Sequence, residues 1–169
     1  DECVILTGDR DSLQLVGGGT VVRLVKSALG KTTYTSYTPE KFREEYGFDP
    51  IRLIDLKALM GDSSDNIPGV KGVGEKSAKQ LLADFGTLDG IYEHIDDERI
   101  KKGVRAKLQA DEQGARDSYW LATIDRNVPL ELDVAHLPEQ KIDREALYSL
   151  LTRLEFDQFI RKLGLTEGE

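Results

Sequence analysis

The chain reads as a piece of α/β sheet followed by a mostly α-helical region, and three observations predict this. Cys3 to Leu6, "CVIL", is a short continuous apolar run rich in β-branched residues, the pattern of a strand buried inside a parallel sheet. "GGGTVVRLV" and "KTTYTSYT" are two further β-rich runs split by "KSALG", which suits a hairpin. From Pro39 onward the apolar residues recur at helical spacing instead, as Ala78, Leu81, Leu82 and Phe85 do at i, i+3, i+4 and i+7.

The elements follow in order. "TGDRDSLQLV" reads as a loop with one helical turn. Thr38-Pro39 opens a helix through Tyr46, with proline at the first helical position, where its missing N–H costs nothing. Asp49-Pro50 repeats the signal for a helix ending near Met60, apolar nearly all round and therefore expected in the interior. A helix from Glu75 to Phe85 is closed by Gly86, and Thr87 caps the next, which carries Leu88, Ile91 and Tyr92. "KKGVRAKLQADEQGARDSYWLATI" predicts one or two more helices, with Tyr119 and Trp120 in the core. "DRNVPLELDVAHLPEQKID" is a proline-punctuated extended connector. Two striped helices close the chain, one on Leu147, Leu150, Leu151 and Leu154, the other on Phe156, Phe159, Ile160 and Leu163. These divide into the end of an α/β core (residues 1–48), a helical binding region (49–128), and a connector with C-terminal helices (129–169).

Bulk properties restrict function only loosely. Apolar residues are 39% and charged residues 32% of the chain, ordinary for a soluble globular protein. No apolar run approaches the ~20 residues needed to span a bilayer, and the first residues have no charged-then-apolar leader pattern. The lone cysteine, Cys3, excludes an internal disulfide and is expected to be a buried structural thiol in a reducing cytosol. A net charge of −8 argues against a surface coated in positive charge, yet a divalent-metal enzyme must concentrate carboxylates and needs only a local basic track to hold phosphates. A strand as early as Cys3 suggests a chain that begins mid-domain.

The chemistry concentrates in "GDSSDNIPGVKGVGEKSAKQLL", Gly61 to Leu82. A nucleotide-binding P-loop wants G-x-x-x-x-G-K-[ST] after a strand. Gly69 to Gly74 has that spacing, but Glu75 intervenes before Lys76-Ser77, and the preceding "DSSDNIP" is a polar turn. A plain loop with a helix start is the bland reading, with Glu75 suited to the macrodipole. It leaves unexplained the order V-x-G-V-G-x-x-x-A-x-x-L-L from Val70 to Leu82. Glycines let the backbone turn tightly and approach a partner, and a helix starting at once aims its unpaired N–H groups at an anion. Small Ala78 permits close helix contact, and Lys71, Lys76 and Lys79 lie beside the anion position. This is the arrangement of a helix-hairpin-helix clamp, which grips a phosphate backbone without reading bases.

Asp62 and Asp65 flank two serines at a spacing that suits one side of a helical turn. Asp9 and Asp11, in "TGDRD", stand at the mouth of the first strand, where open α/β sheets place their sites. Either pair alone is ordinary turn or cap chemistry; together, beside a phosphate clamp, they suggest a metal site. Clustered Asp without His or Cys fits Mg²⁺ or Mn²⁺ and not zinc. Two such ions roughly 4 Å apart could bridge a scissile phosphate. His94 and His136 are read as surface or satisfied histidines.

"VILTGDRDSLQLV", "LKALMGDSSDNIPGVKGVGEKSAKQLL" and "LTRLEFDQFIRKLGL" together resemble the 5′ nuclease domain of bacterial DNA polymerases I, which belongs with the flap endonucleases. The resemblance runs over nearly the whole chain. It implies the C-terminal part of a PIN-like 5′ nuclease fold, a remnant of a partly parallel sheet followed by a helix-three-turn-helix segment. It implies 5′-to-3′ exonuclease and flap endonuclease activity on nicked, flapped or branched duplex DNA in bacterial replication and repair, with a cytoplasmic location. By motif, Asp9 and Asp11 match the family's T-[AG]-D-x-D carboxylates, and Asp62 and Asp65 match its G-D-x-S-D-N carboxylates. Gly69, Val70, Lys71, Gly72, Val73, Gly74, Lys76 and Ser77 match the segment that holds duplex DNA, with a monovalent cation such as K⁺ bound by backbone carbonyls nearby; Lys79 stands beside it.

The family's domain begins with a further half that has no counterpart here, carrying its first strands, more metal-binding acids and a threading arch. The expectation is a fragment that holds duplex weakly and cuts poorly or not at all. An unpaired edge at Cys3 to Leu6, where the missing strands would lie, leaves room for self-association or a companion chain, and the closing "LEFDQFIRKLGL" resembles the family's passage toward the rest of a polymerase chain. The rival function is a non-catalytic duplex-DNA-binding module that uses only the clamp. A mononucleotide-binding protein is the third reading.

Overall fold

A computed structural model describes residues 2–28, 30–131, 136 and 141–166. It divides into two compact units, residues 1–126 and 127–169.

The first unit starts with three strands in the order β1-β2-β3: β1 (Cys3–Thr7), β2 (Thr20–Ala28) and β3 (Lys31–Tyr37). β1 pairs with β2 in parallel, and β2 with β3 as an antiparallel hairpin. Parallel neighbours need a crossover. Here it is a six-residue 3₁₀ helix, Arg10–Leu15, followed by Gly17, Gly18 and Gly19, all at positive φ. Val22, Leu24 and Tyr37 point into the core, and Ile5 packs against it.

The expected burial of the first strand is corrected. Val4 and Leu6 are 50% and 68% exposed, and the Cys3 thiol is free and exposed. β1 is an edge strand; Ile5 packs on the core, Val4 and Leu6 on the alternate face look out, and Cys3, on the Ile5 face at the start of the strand, is left uncovered.

α1 (Pro39–Tyr46) is N-capped by Thr38, whose side chain accepts the Lys41 N–H. Pro50–Arg52 forms a short 3₁₀ turn that runs into α2 (Leu53–Met60). Every residue of α2 from Leu53 to Leu59 is buried, as the all-round apolar pattern predicts. Each fully buried Leu or Ile there contributes about 1.5–3 kcal/mol over its exposed state. α2 is the axis of the unit and packs on α3 (Glu75–Phe85) and α6 (Glu112–Ala122). α4 (Leu88–Glu93) and α5 (Lys102–Ala110) complete it. Buried Asp55 of α2 accepts the Leu88 N–H at 2.8 Å and pairs with Arg52 at 3.2 Å, which pins the start of α4. Burial pushes the Asp55 carboxyl above its ordinary pKa.

Trp120 is a second correction. It is 77% exposed, while the buried face of α6 is Ala115, Ser118 and Ala122. Close packing on α2 selects small residues on that face, and the largest aromatic falls outside it.

The second unit contains α7 (Arg144–Arg153), capped by the Asp143 carboxylate on the Ala146 N–H, and α8 (Asp157–Leu163). Leu151 is buried; the expected stripe on α8 is not, with Phe159 54% and Leu163 49% exposed. Part of the connector expected before α7, at 132–135 and 137–140, lies outside the described residues. No helix among the described residues is long and apolar enough to cross a membrane.

Candidate metal centre and backbone-binding turn

Gln14 fixes one half of the candidate site to the other. It is 4% exposed, its amide nitrogen donates to the Ala122 carbonyl at 2.9 Å, and its amide oxygen accepts the Ile124 N–H at 3.0 Å. These bonds tie the 3₁₀ segment after β1 to the end of α6. Asp11 on that segment is thereby carried to α2 and to the loop that follows it.

Asp11, Asp62 and Asp65 offer carboxylate oxygens that all lie within 4.8 Å of one another. Asp62 and Asp65 come together on a tight turn and not on a helix: Asp62 and Ile67 exchange backbone hydrogen bonds at 2.9 Å, with Asn66 at φ 58°. Asp62 Oδ1 also accepts from the Ser64 N–H and hydroxyl. Asp9 is outside this group. Its side chain caps the 3₁₀ helix, accepting the Asp11 N–H at 2.9 Å, while Asp11 belongs to that helix and reaches the cluster.

Sequence reading missed Lys57. This residue of α2 is 7% exposed and contacts all three acids: Asp11, Asp62 Oδ2 at 2.6 Å and Asp65 Oδ2 at 3.7 Å. The signal was present, because a lysine in the middle of the apolar run "LIDLKALM" needs a buried partner. Its ammonium, with help from Ser64, holds the Asp62 carboxyl down at a pKa of about 2.

The loop from the acids to α3 crosses itself closely. Gly61 and Gly69 lie back to back at φ 75° and 62°; a Cβ on Gly69 would stand 2.2 Å from the Gly61 nitrogen. The Val70 N–H donates to the Leu59 carbonyl at 2.8 Å, which sends the chain back beside α2. Val70 and Val73 are 2% and 4% exposed, so their side chains are core anchors. Gly74 precedes α3 with no side-chain cap on its first N–H groups. Lys71 and Lys76 are exposed at this turn and Ser77 is half-buried. Lys79 is engaged by Glu75 at 2.7 Å and lies 5.5 Å above the Tyr46 ring. A groove of about 350 Å³ is lined by Tyr46, Lys57, Asp62, Glu75 and Lys79 among others.

A family model described as 5′-3′ exonuclease, C-terminal SAM fold, matches residues 48–145. The chain belongs to that family. It is 45% identical over 166 residues to a DNA polymerase I of Caldicellulosiruptor bescii, and 40% identical over 168 residues to a DNA polymerase I of Bacillus subtilis. These alignments cover 98% and 99% of the chain, which spans about one fifth (19%) of each relative's length.

Among solved structures, it superposes on a T5 5′-exonuclease with bound zinc with a TM-score of 0.58 and 26% identity, covering 72% of the chain and 43% of that protein. It also matches the catalytic core of Rad2 in complex with DNA substrate, with a TM-score of 0.59 and 22% identity, over 94% of the chain and 55% of that protein. At that identity the Rad2 match shows the shared fold. The small sheet with its helices is thus the 5′ nuclease architecture.

Proposed function

We propose that this chain is the C-terminal part of the 5′-to-3′ exonuclease and flap endonuclease domain of a bacterial DNA polymerase I. The observation that carries this is the convergence of Asp11, Asp62 and Asp65 beside a glycine turn that leads into the uncapped start of α3. The near-full-chain likeness to DNA polymerases I supports it, as does the fold shared with the T5 exonuclease.

The donor set fits a hard divalent ion. Three carboxylates without His or Cys suit Mg²⁺ or Mn²⁺, and their mutual repulsion is already large enough to need the Lys57 ammonium. Asp11, Asp62 and Asp65 would hold such an ion; Asp9, whose Oδ1 caps the 3₁₀ helix, lies outside that group and keeps its second oxygen free of the cap bond. When bound, the ion supplies Lewis acidity at a phosphoryl oxygen and an activated water.

The residues' own work is then divided. Asp11, Asp62 and Asp65 fix the hydrolytic position, and Lys57 balances their charge when no ion is there. Lys71, Lys76, Lys79 and Ser77, with the backbone of Gly69, Gly72 and Gly74, form a helix-three-turn-helix clamp between α2 and α3. The clamp grips the duplex backbone, and its carbonyls offer a place for K⁺. Lys79 and Asp62 line one groove past Tyr46, which offers the strand a path between them. The partners are branched or nicked duplex DNA and the remainder of a polymerase chain.

The test is cleavage of a 5′-flap substrate with Mg²⁺ under single-turnover conditions, alongside duplex binding. Asp62→Asn with Asp65→Asn should abolish cutting and leave binding intact. Binding without metal-dependent cutting, indifferent to those substitutions even in the longer polypeptide, would leave only the duplex-holding module.

A further inference from the structure

The glycine turn has backing that its own sequence does not supply. Three side chains from α5, α6 and the junction between them hold three of its backbone groups. Ser118 Oγ, on a fully buried residue of α6, accepts the Gly69 N–H at 3.0 Å. Asp111 Oδ2, between the helices, accepts the Lys71 N–H at 3.4 Å. Lys107 Nζ, from α5, donates to the Gly72 carbonyl at 2.8 Å. The partners are separated by 49, 40 and 35 residues in sequence, so none is a local turn bond.

Lys107 is the informative one. It is exposed, and a lysine on an open helix face ordinarily leaves its ammonium in water. Here the side chain lies along Gly72, its Nζ 3.0 Å from where a Cβ would stand. Gly69 and Gly72 both sit at positive φ, so the segment is built from residues with the most backbone freedom to lose. A turn already ordered in the free protein loses less entropy when it meets its ligand.

We infer that Lys107 is a positioning residue for the duplex clamp, acting with Ser118 and Asp111 so that α5 and α6 form the rigid back of the turn. This rests on the clamp reading and adds residues from outside the turn to it. Lys107 holds the Gly72 carbonyl with one of its three N–H donors, and the salt slope separates this positioning role from a direct phosphate contact.

The experiment measures duplex binding by fluorescence anisotropy across a salt series, together with thermal melts. Lys107→Met keeps the aliphatic stem and removes the donor. It should weaken binding roughly threefold to tenfold with an unchanged melting temperature and an unchanged salt slope. Lys107→Arg should restore most of the affinity, because a guanidinium can reach the same carbonyl. The Val73 amide resonance should move in Lys107→Met and return in Lys107→Arg, since that nitrogen shares the peptide group of the Gly72 carbonyl.

Unchanged affinity in Lys107→Met overturns the inference. So does a slope that falls by about one, which would make Lys107 a direct phosphate contact. Lys71→Ala and Lys76→Ala separate this from the reading beneath it. If they weaken binding and Lys107→Met does not, only the backing role fails. If neither weakens it, or the parent binds no duplex, the clamp fails and the inference with it.

Discussion

Lys57 Nζ lies 2.6 Å from Asp62 Oδ2, on a side chain that is almost wholly enclosed by α2 and the acid loop. The pair explains how three carboxylates stand within 4.8 Å of one another without flying apart. It also sets a competition, because a divalent ion taken up by the same oxygens must displace the ammonium. Lys57→Met should therefore bind Mn²⁺ about tenfold more tightly than the parent, read as a larger Mn²⁺-induced rise in melting temperature. An equal rise in both would mean that ion and lysine use different oxygens.

The same pair gives stability a pH dependence. The Asp62 carboxyl titrates at about 2 in the folded chain against an ordinary value of 3.8, so its folded pKa is depressed. A depressed carboxylate stabilises the fold above its unfolded pKa and stops doing so as pH falls through the folded one. The stability advantage of the parent over Lys57→Met should be full at pH 6 and shrink between roughly pH 4 and pH 2. Urea midpoints for the two proteins at three pH values measure this. An advantage independent of pH would remove the ion pair as its source.

Gly69→Ala should destabilise the chain by about 3 kcal/mol, because positive φ and a backbone clash act together. The added Cβ would stand 2.2 Å from the Gly61 nitrogen, and a backbone atom cannot swing aside as a side-chain tip can. Chemical denaturation measures the loss. Gly74→Ala is the control, since a Cβ there meets nothing within 4 Å.

Lys71→Ala and Lys76→Ala should each weaken duplex binding by a similar factor on unrelated sequences and reduce the salt slope by about one. Both lysines are exposed, and neither makes an ion pair among the described residues. Lys79→Ala should have a smaller effect on binding, because its ammonium is already engaged by Glu75 and the Tyr46 ring. A salt slope unchanged in the first two variants would return those lysines to ordinary solvated surface.

The helical half was legible because its periodicity and caps agree: α2 reads as apolar all round and is buried from Leu53 to Leu59, and α3 shows its stripe. Cys3 was misread for a reason of topology. An apolar run signals a buried strand only when both faces and both edges are covered, and β1 is an edge strand. Trp120 was misread because hydrophobicity was weighed without the space available, and α6 meets α2 through Ala115, Ser118 and Ala122.

At the site, composition and spacing brought out Asp11, Asp62 and Asp65 but could not separate Asp11 from Asp9. That distinction rests on where the 3₁₀ helix places each side chain: Asp9 at its cap, Asp11 within reach of Asp62 and Asp65. Lys57 was legible in principle as a charge inside an apolar helix. Lys107 and Ser118 were not, since nothing local links them to Gly72 or Gly69 across 35 and 49 residues.

The most direct measurement is anomalous diffraction from crystals of this chain soaked in Mn²⁺. The account predicts a peak among the Asp11, Asp62 and Asp65 oxygens, with the Lys57 ammonium moved away from Asp62. A peak elsewhere, or none at an Mn²⁺ concentration that saturates the melting-temperature shift, would contradict a hydrolytic centre at these acids.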